Sequence, residues 1–175
     1  FRREEDEVVL IKSKQRSIEY DLPIAEISEN SAKEKNIRFG HISNVHLWWA
    51  RRPLNSSRAT SFAALIDSPD SKKEKKTLET LIKQISTWES IKNGNSKDIE
   101  KAKKYIHNQF GYAPKVLDPF SGGGSIPLEA LRLGCETYSC DYNPVAVLIE
   151  KASLEWPQKY LRDIVLPNTR KNEDR

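Results

Sequence analysis

The sequence predicts an α/β fold, and two short strands with the loops that follow them carry this prediction. Val116 and Leu117 form an apolar pair that runs into Asp118 and a glycine-rich loop. A second strand-like stretch, residues 136–139, leads to Asp141. A strand, a glycine loop and a helix in that order are typical of the crossings at which open α/β sheets bind ligands. We therefore expect a short buried strand at Val116 and Leu117, and a binding site where both strands end.

The glycine loop (residues 118–124) reads Asp118-Pro119-Phe120-Ser121-Gly122-Gly123-Gly124. Glycines let a backbone turn sharply and approach a ligand closely, since no Cβ stands in the way. Ser125 is expected to cap the following helix, and Pro127 falls in its first turn, where proline is tolerated. No Lys follows the glycines, which argues against a P-loop, and Pro127 stands where a dinucleotide fingerprint has its third glycine. An ordinary turn with a helix cap is the simpler alternative.

An acid follows the second strand at a spacing typical of nucleotide sites. Asp141 lies 23 residues after Asp118, close to the separation of about 20 at which an acid meets a ribose hydroxyl in nucleotide-binding β-α-β units. Tyr142 would then lie against an adenine face, and Asn143 is expected to cap a helix that begins at Pro144. The alternatives are an acid that stabilises a helix start and a tyrosine that packs half-buried.

The tryptophan–arginine segment (residues 46–53) reads His46-Leu47-Trp48-Trp49-Ala50-Arg51-Arg52-Pro53. Adjacent tryptophans cannot share one face of a helix or strand, so at least one is expected to be exposed or to pack against a ligand or another domain. Adjacent arginines can bind a carboxylate or a phosphate in a bidentate manner. We expect this segment to lie beside the glycine loop. A packed linker whose arginines pair with acids is the alternative.

Three segments divide the chain: residues 1–67, 68–113 and 114–175. In the first segment, Ser31 and Glu34 have capping-box spacing, which predicts the start of a short helix. Pro53 predicts the start of a clearer helix. The residues expected on one face of that helix are Leu54, Arg58, Phe62, Leu65 and Ile66.

Two apolar stripes at helical spacing predict a helical hairpin in the middle segment. The stripes are Leu78, Leu81, Ile82 and Ile85, then Ile99, Ala102, Ile106 and Phe110. We expect an inserted packing element with solvated lysines; contact of those lysines with nucleic acid is the alternative. Trp156-Pro157 is expected to end the helical region. A solvated charge cluster is expected at residues 2–7 and a disordered tail at residues 168–175.

Two parts of the sequence resemble known families. The glycine loop is similar to the S-adenosylmethionine loop of amino-methyltransferases, whose pattern is Asp-Pro-Phe-x-Gly-x-Gly. The first segment resembles the N-terminal domain of a family of prokaryotic adenine-specific DNA methylases, in which a variable insert, a glycine loop and an acid strand follow. The stretches that carry this second resemblance are Leu22-Pro23-Ile24 through Glu34-Lys35, Phe39-Gly40-His41, the tryptophan–arginine segment with Leu54, Ser57-Arg58-Ala59, the glycine loop with Ser125, and Asp141-Tyr142-Asn143-Pro144-Val145-Ala146.

The resemblance implies the cofactor-binding half of a Rossmann-like methyltransferase sheet, preceded by a helical N-terminal segment and the hairpin insert. It implies S-adenosylmethionine as cofactor and methyl transfer to an adenine amino nitrogen of duplex DNA. Other subunits of a modification or defence system are further partners that it implies. Asp118, Phe120 and residues 122–124 would hold the methionine end, Asp141 the ribose and Tyr142 the adenine. The implied cofactor residues are Asp118, Pro119, Phe120, Ser121, Gly122, Gly123, Gly124, Asp141, Tyr142 and Asn143, and the candidates for substrate or cofactor contact are His46, Trp48, Trp49, Arg51 and Arg52.

The sequence departs from the methylase pattern in one respect. Such enzymes carry Asn or Asp, then Pro-Pro and an aromatic residue, which orient the target amine and stack on the flipped base. None of the nine prolines in the 175 residues is adjacent to another, so no catalytic residue is assigned. We expect this chain to be the N-terminal part of a larger enzyme. An RNA or tRNA amino-methyltransferase and a non-catalytic binding or scaffold module are the alternatives.

Composition agrees with a cytoplasmic enzyme that acts on nucleic acid. The net charge is +4 and 37% of the residues are hydrophobic. No apolar run approaches the roughly 20 residues of a membrane span. Cys135 and Cys140 lack the spacing of a zinc site, so we expect two buried thiols and no metal.

Overall fold

The computed structural model describes residues 14–20, 22–37, 40–94 and 96–160. Within these ranges the protein is mixed α/β and mostly helical. Its helices are α1 (Ile24–Glu34), α2 (Leu54–Leu65), α3 (Lys72–Ile85), α4 (Trp88–Asn93), α5 (Lys97–Phe110), α6 (Ser125–Arg132), α7 (Pro144–Glu150) and α8 (Trp156–Tyr160), and its strands are β1 (Lys115–Asp118) and β2 (Glu136–Ser139). Short 3-10 helices lie at Ser17–Glu19 and Ile42–Asn44. The charge cluster at residues 2–7 and the tail at 168–175 lie outside the described residues.

The two strands form a parallel pair connected through α6. Lys115 pairs with Glu136 at one end of the register and Asp118 with Ser139 at the other. The prediction of a buried first strand is wrong, because Leu117 is 64% exposed. Side chains alternate between the faces of a strand. Val116 packs against the core on one face, and Leu117 lies on the other.

The middle segment forms the two predicted long helices, with an additional short helix between them. The four apolar residues of the first stripe are buried along α3, as are Ile99, Ala102 and Ile106 along α5. Ser96 caps α5 by accepting a hydrogen bond from the Ile99 amide. The short helix α4 begins after Thr87, whose hydroxyl accepts from the amide of Ser90. This cap explains why the break between the stripes is itself partly helical.

One core cluster joins all three segments of the chain. The insert is therefore part of the main core. The buried members are Ile27, Ala59, Phe62, Ala63, Ile66, Leu78, Leu81, Ile82, Ile85, Ala102, Ile106, Ala130, Leu133 and Cys135. Burial of apolar area of this extent is the dominant stabilising contribution to a domain of this size.

The capping box predicted at Ser31 and Glu34 is wrong, since both residues lie in the last turn of α1. Ser31 instead donates its hydroxyl to the Ile27 carbonyl, as serines inside helices commonly do. Glu34 caps a different helix. Its carboxylate accepts from the amides of Leu54 and Asn55 at 2.8 and 3.2 Å, at the start of α2.

The helix predicted after Pro53 is confirmed as α2. Leu54, Arg58 and Phe62 are buried on it, and Leu65 is half-buried. Ile66 lies just beyond the last turn and is buried as well.

The predicted end of the helical region at Trp156-Pro157 is wrong. A π-helical turn, Lys151–Glu155, continues from α7 and leads directly into α8. Pro157, which has no N–H to donate, follows this turn, where the regular hydrogen-bond pattern of the helix changes. In the described part of the chain, no helix has the length and apolar character needed to cross a membrane.

Candidate functional site

The glycine loop and the residues after β2 meet at the carboxyl ends of the two strands. The amide of Gly122 donates to Asp141 Oδ2 at 2.8 Å. The Ser121 amide and the Cys140 carbonyl are joined at 3.1 Å, and the Cys140 amide donates to the Asp118 carbonyl at 2.9 Å. Parallel strands bring their carboxyl ends to one edge, so residues that are distant in sequence form one surface there.

Asp141 organises both loops through its carboxylate. Its Oδ1 accepts from the amide of Asn143 at 2.8 Å, while Oδ2 holds Gly122. Each oxygen retains acceptor capacity, because a carboxylate oxygen has two lone pairs. Asn143 caps α7 as predicted, with its side-chain oxygen accepting from Val145 at 2.9 Å. The ring of Tyr142 is fully exposed next to Asp141.

The glycine loop turns through the left-handed region of backbone space. Gly122 has φ +53° and Gly124 has φ +72°, values that favour glycine. The prediction that Ser125 caps α6 is wrong: Gly124 occupies the cap position and Ser125 is the first helical residue. The buried Ser125 hydroxyl has no hydrogen-bond partner among the described residues. Pro127 lies in the first turn of α6, as expected.

A buried acid beneath the loop was missed by the sequence analysis. Glu150 at the end of α7 is 5% exposed and accepts from the Ser121 hydroxyl at 2.5 Å. The same hydroxyl lies 3.0 Å from the Cys140 carbonyl. The only indication of this acid in the sequence is its position as the charged residue that ends the apolar run of α7. Glu150 therefore ties the loop to the end of α7.

The tryptophan–arginine segment lies against the glycine loop, which confirms the predicted proximity. A Cβ added to Gly122 would lie 2.7 Å from Trp48 Nε1, and one added to Gly123 would lie 2.9 Å from Arg51 Nε. Real Cβ atoms do not approach other atoms this closely. The first two glycines of the triplet thus make room for side chains that are about 70 residues earlier in the chain.

The other three candidates of this segment are exposed. Trp49 is 85% exposed and stacks on Trp48 with ring centroids 5.3 Å apart, so one of the adjacent tryptophans is exposed as expected. Arg52 and His46 are exposed. The His46 carbonyl, but not its ring, accepts from Arg51 Nη2 at 3.4 Å.

Arg51 carries the most unusual electrostatic environment of the segment. Its Nε and Nη1 atoms are buried and have no hydrogen-bond partner among the described residues. Burial lowers the pKa of the guanidinium, and the negative charge of Glu34 partly opposes this shift. A buried guanidinium with unpaired nitrogens is a high-energy arrangement that an anion would relieve.

Arg51 also lines a small cavity of about 140 Å³. The lining carries more cationic than anionic side chains. It consists of Glu34, Lys35, Ile37, His41, Ser43, Leu47, Trp48, Arg51, Arg52 and Pro53.

His41 and Glu34 fix the wall of this cavity. Glu34 is 4% exposed, and His41 Nε2 lies 2.9 Å from its Oε1. His41 Nδ1 accepts from the Ser43 amide at 3.0 Å, which makes Nε2 the donor to Glu34. The imidazole ring stacks on Trp88 with centroids 5.7 Å apart. Together these contacts hold the chain that leads into the tryptophan–arginine segment.

Phe120 lies at the exposed end of the glycine loop. Its ring is 85% exposed, and its amide donates to Asp118 Oδ1 at 3.1 Å. Asp118 therefore stabilises the turn that presents Phe120. The aromatic rings of Phe120 and Tyr142 are both accessible at this edge of the sheet.

The two cysteines differ, contrary to the expectation of two buried thiols. Cys135 is 4% exposed, and burial raises the pKa of its thiol to about 11. Cys140 is exposed, because it follows β2 in the loop next to the site.

Comparison with known proteins gives one similarity. The sequence model of a family described as Protein of unknown function (DUF1156) matches residues 21–91. The match includes the tryptophan–arginine segment and α1 to α3, and it ends before the glycine loop. No curated protein and no solved structure matches the chain.

Proposed function

We propose that this chain is the cofactor-binding, N-terminal part of an S-adenosylmethionine-dependent DNA adenine-N6 methyltransferase with a Rossmann-like sheet. The observation that carries the proposal is the contact between Gly122 and Asp141 at the carboxyl ends of β1 and β2. It joins a glycine loop of the amino-methyltransferase pattern to an acid at a nucleotide-binding position.

The residues at this edge fit S-adenosylmethionine in three respects. Asp141 retains acceptor capacity for ribose hydroxyls beside its two backbone hydrogen bonds. Tyr142 presents a free ring on which an adenine can stack. The guanidinium of Arg51, whose Nε has no hydrogen-bond partner among the described residues, lies beside Gly123 and offers positive charge next to the loop.

In this proposal the chain binds and orients, and the cofactor when bound supplies an electrophilic methyl group. Asp118, Phe120 and residues 122–124 hold the methionine end. Pro119, Ser121 and Asn143 keep the two loops in shape. Ser121 does so through Glu150, and Asn143 through the cap of α7.

A second candidate, a binding module without catalysis, is favoured by one observation. The 175 residues contain no adjacent prolines, and the acceptor segment that holds a flipped adenine is built on a Pro-Pro pair. Both candidates bind the cofactor, so methyl transfer separates them. Competition between duplex DNA and structured RNA for the protein separates a DNA enzyme from an RNA enzyme.

Asp141→Ala tests the proposal. Loss of a hydrogen bond to a charged group is expected to weaken S-adenosylmethionine binding by about 1.5–3 kcal/mol. Titration calorimetry on the full chain measures this change. Unchanged affinity in a folded variant would remove Asp141 from the site.

Two further variants control for loss of structure. Asp141→Asn keeps one of the two oxygens that accept from backbone amides, so its urea unfolding shows how far the loops depend on the second hydrogen bond. Asp70→Ala removes an acid whose side chain is 94% exposed and which contacts Lys14 at 3.7 Å. We expect its affinity for the cofactor to equal that of the wild type.

A further inference from the structure

Arg51 and Arg52 are adjacent in sequence but differ in their surroundings. Arg52 is exposed, whereas two Arg51 nitrogens are fully buried. A hydrated guanidinium suits the phosphates of a nucleic-acid backbone, which approach from solvent. A buried guanidinium suits a small anionic group that can enter a narrow space.

The guanidinium of Arg51 packs against the glycine loop and also lines a small cavity. The guanidinium lies where a Cβ on Gly123 would be, with Nε at 2.9 Å and Nη2 at 3.0 Å from that position. The cavity that Arg51 lines measures about 140 Å³, and its lining consists of residues from the first segment. A carboxylate at the end of a flexible aliphatic arm fits this space, whereas a duplex backbone does not reach it.

An incoming anion can replace the present hydrogen-bond partner of Arg51 at little cost in free energy. Nη2 donates to the His46 carbonyl at 3.4 Å, which is long for an N–H···O hydrogen bond. Glu34, the nearest acid, already accepts from His41 and from two backbone amides, and it is 4% exposed. The arginine therefore keeps most of its donors for an incoming anion.

We infer that Arg51 binds the carboxylate of the S-adenosylmethionine methionine end and thereby selects ligands that carry this group. The inference rests on the proposed function, because it assigns one contact within the same site. It makes the site a composite of two segments, residues 46–53 and 118–124. The first segment supplies the charge and the second supplies the backbone turn.

The experiment compares S-adenosylmethionine with its decarboxylated analogue, which keeps the sulfonium and the adenosine. Titration calorimetry on the full-length wild-type chain is expected to show tighter binding of the carboxylate-bearing ligand, by about 10- to 100-fold for a charge-assisted contact. Arg51→Gln is expected to lose this discrimination by weakening only S-adenosylmethionine. Lys101→Gln, the control, removes an exposed cation that pairs with Asp98, and it is expected to keep the discrimination.

The outcomes separate failure of this inference from failure of the proposed function. A wild-type chain that binds neither ligand would contradict the proposed function, and the inference with it. A wild-type chain that binds both ligands equally would contradict the inference alone, whether or not any variant folds. An equal loss of both ligands in Arg51→Gln would show that Arg51 only supports the loop. Arg51→Lys keeps the charge without the bidentate fork, and we expect it to retain part of the discrimination.

Discussion

At the scale of single residues, Arg58 has a structural role. Its side chain is fully buried, and Nε lies 2.5 Å from Glu129 Oε2. Nη1 lies 3.3 Å from the Ile85 carbonyl. Glu129, also fully buried, pairs with Arg132 through its other oxygen at 2.7 Å. The pair therefore ties α2 to α6 and to the end of α3.

The electrostatics of this pair are set by burial. Burial raises the pKa of the Glu129 carboxyl, and the positive charges of Arg58 and Arg132 oppose the shift. Burial likewise lowers the pKa of Arg58, against the field of Glu129. Each charge is tolerated because the other is present, so removal of one partner is more damaging than removal of both.

Glu129→Gln is expected to destabilise the protein by about 3–5 kcal/mol, since it leaves a buried arginine without its counter-charge. Urea unfolding followed by circular dichroism measures the change. Glu79→Gln is the matched control, because Glu79 makes an exposed ion pair with Lys83. A loss as small as that of the control would show that Arg58 needs no counter-charge.

At the scale of elements, the contact between the tryptophan–arginine segment and the glycine loop joins the first and third segments of the chain. Trp48 and Arg51 fill the space that Gly122 and Gly123 leave open. The glycines therefore have two roles. They allow the backbone to turn, and they leave the space in which these two side chains pack. Any cofactor would meet a loop that is already supported from one side.

Gly122→Ala separates these two roles when it is compared with Gly111→Ala. Both glycines have positive φ, +53° and +71°, but a Cβ on Gly111 would have nothing within 4 Å. The left-handed conformation alone costs a non-glycine residue about 1–2 kcal/mol. Gly122→Ala is expected to cost about 1–3 kcal/mol more in urea unfolding, because it also displaces Trp48. Equal costs at the two positions would mean that Trp48 moves freely.

At the scale of the whole molecule, one hydrophobic core contains residues of all three segments, although the segments have different sequence patterns. The insert helices α3 and α5 bury their apolar stripes against α2, which itself packs on α6. The site at the strand ends is therefore supported by all three segments. A substitution that alters the packing of the insert would affect the site through α2, because α2 begins directly after the tryptophan–arginine segment.

We expect this 175-residue chain on its own to bind S-adenosylmethionine but not to methylate DNA. Base flipping costs a few kcal/mol, which a pocket must offset by stacking and hydrogen bonds, and the sequence has no Pro-Pro-aromatic segment for this purpose. Transfer of labelled methyl groups to mixed-sequence duplex DNA is the assay. An active adenine methyltransferase on the same DNA is the positive control. Robust turnover by the purified chain would show that catalysis uses other residues.

Much of the local structure follows from the sequence alone, because it depends on neighbouring residues. The stripes of α3 and α5, the start of α2 at Pro53 and the Asn143–Pro144 start of α7 were predictable from spacing and capping chemistry. The left-handed turns at Gly122 and Gly124 agree with a glycine loop for the same reason. The sequence also singled out Trp48 and Arg51, although it did not distinguish them from Trp49 and Arg52.

Only the tertiary structure decided which long-range partners these residues have. Glu34 caps α2 across 20 residues, Glu150 reaches Ser121 across 29, and Arg58 meets Glu129 across 71. No local spacing encodes such pairs, because they arise when packed helices bring distant side chains together. The burial predicted for Leu117 was wrong for the same reason, since its exposure depends on which face of the strand α6 covers. The sequence by itself determined most of the elements and most residues of the candidate site, because these depend on neighbouring residues, and packing determined which side chains face the loop.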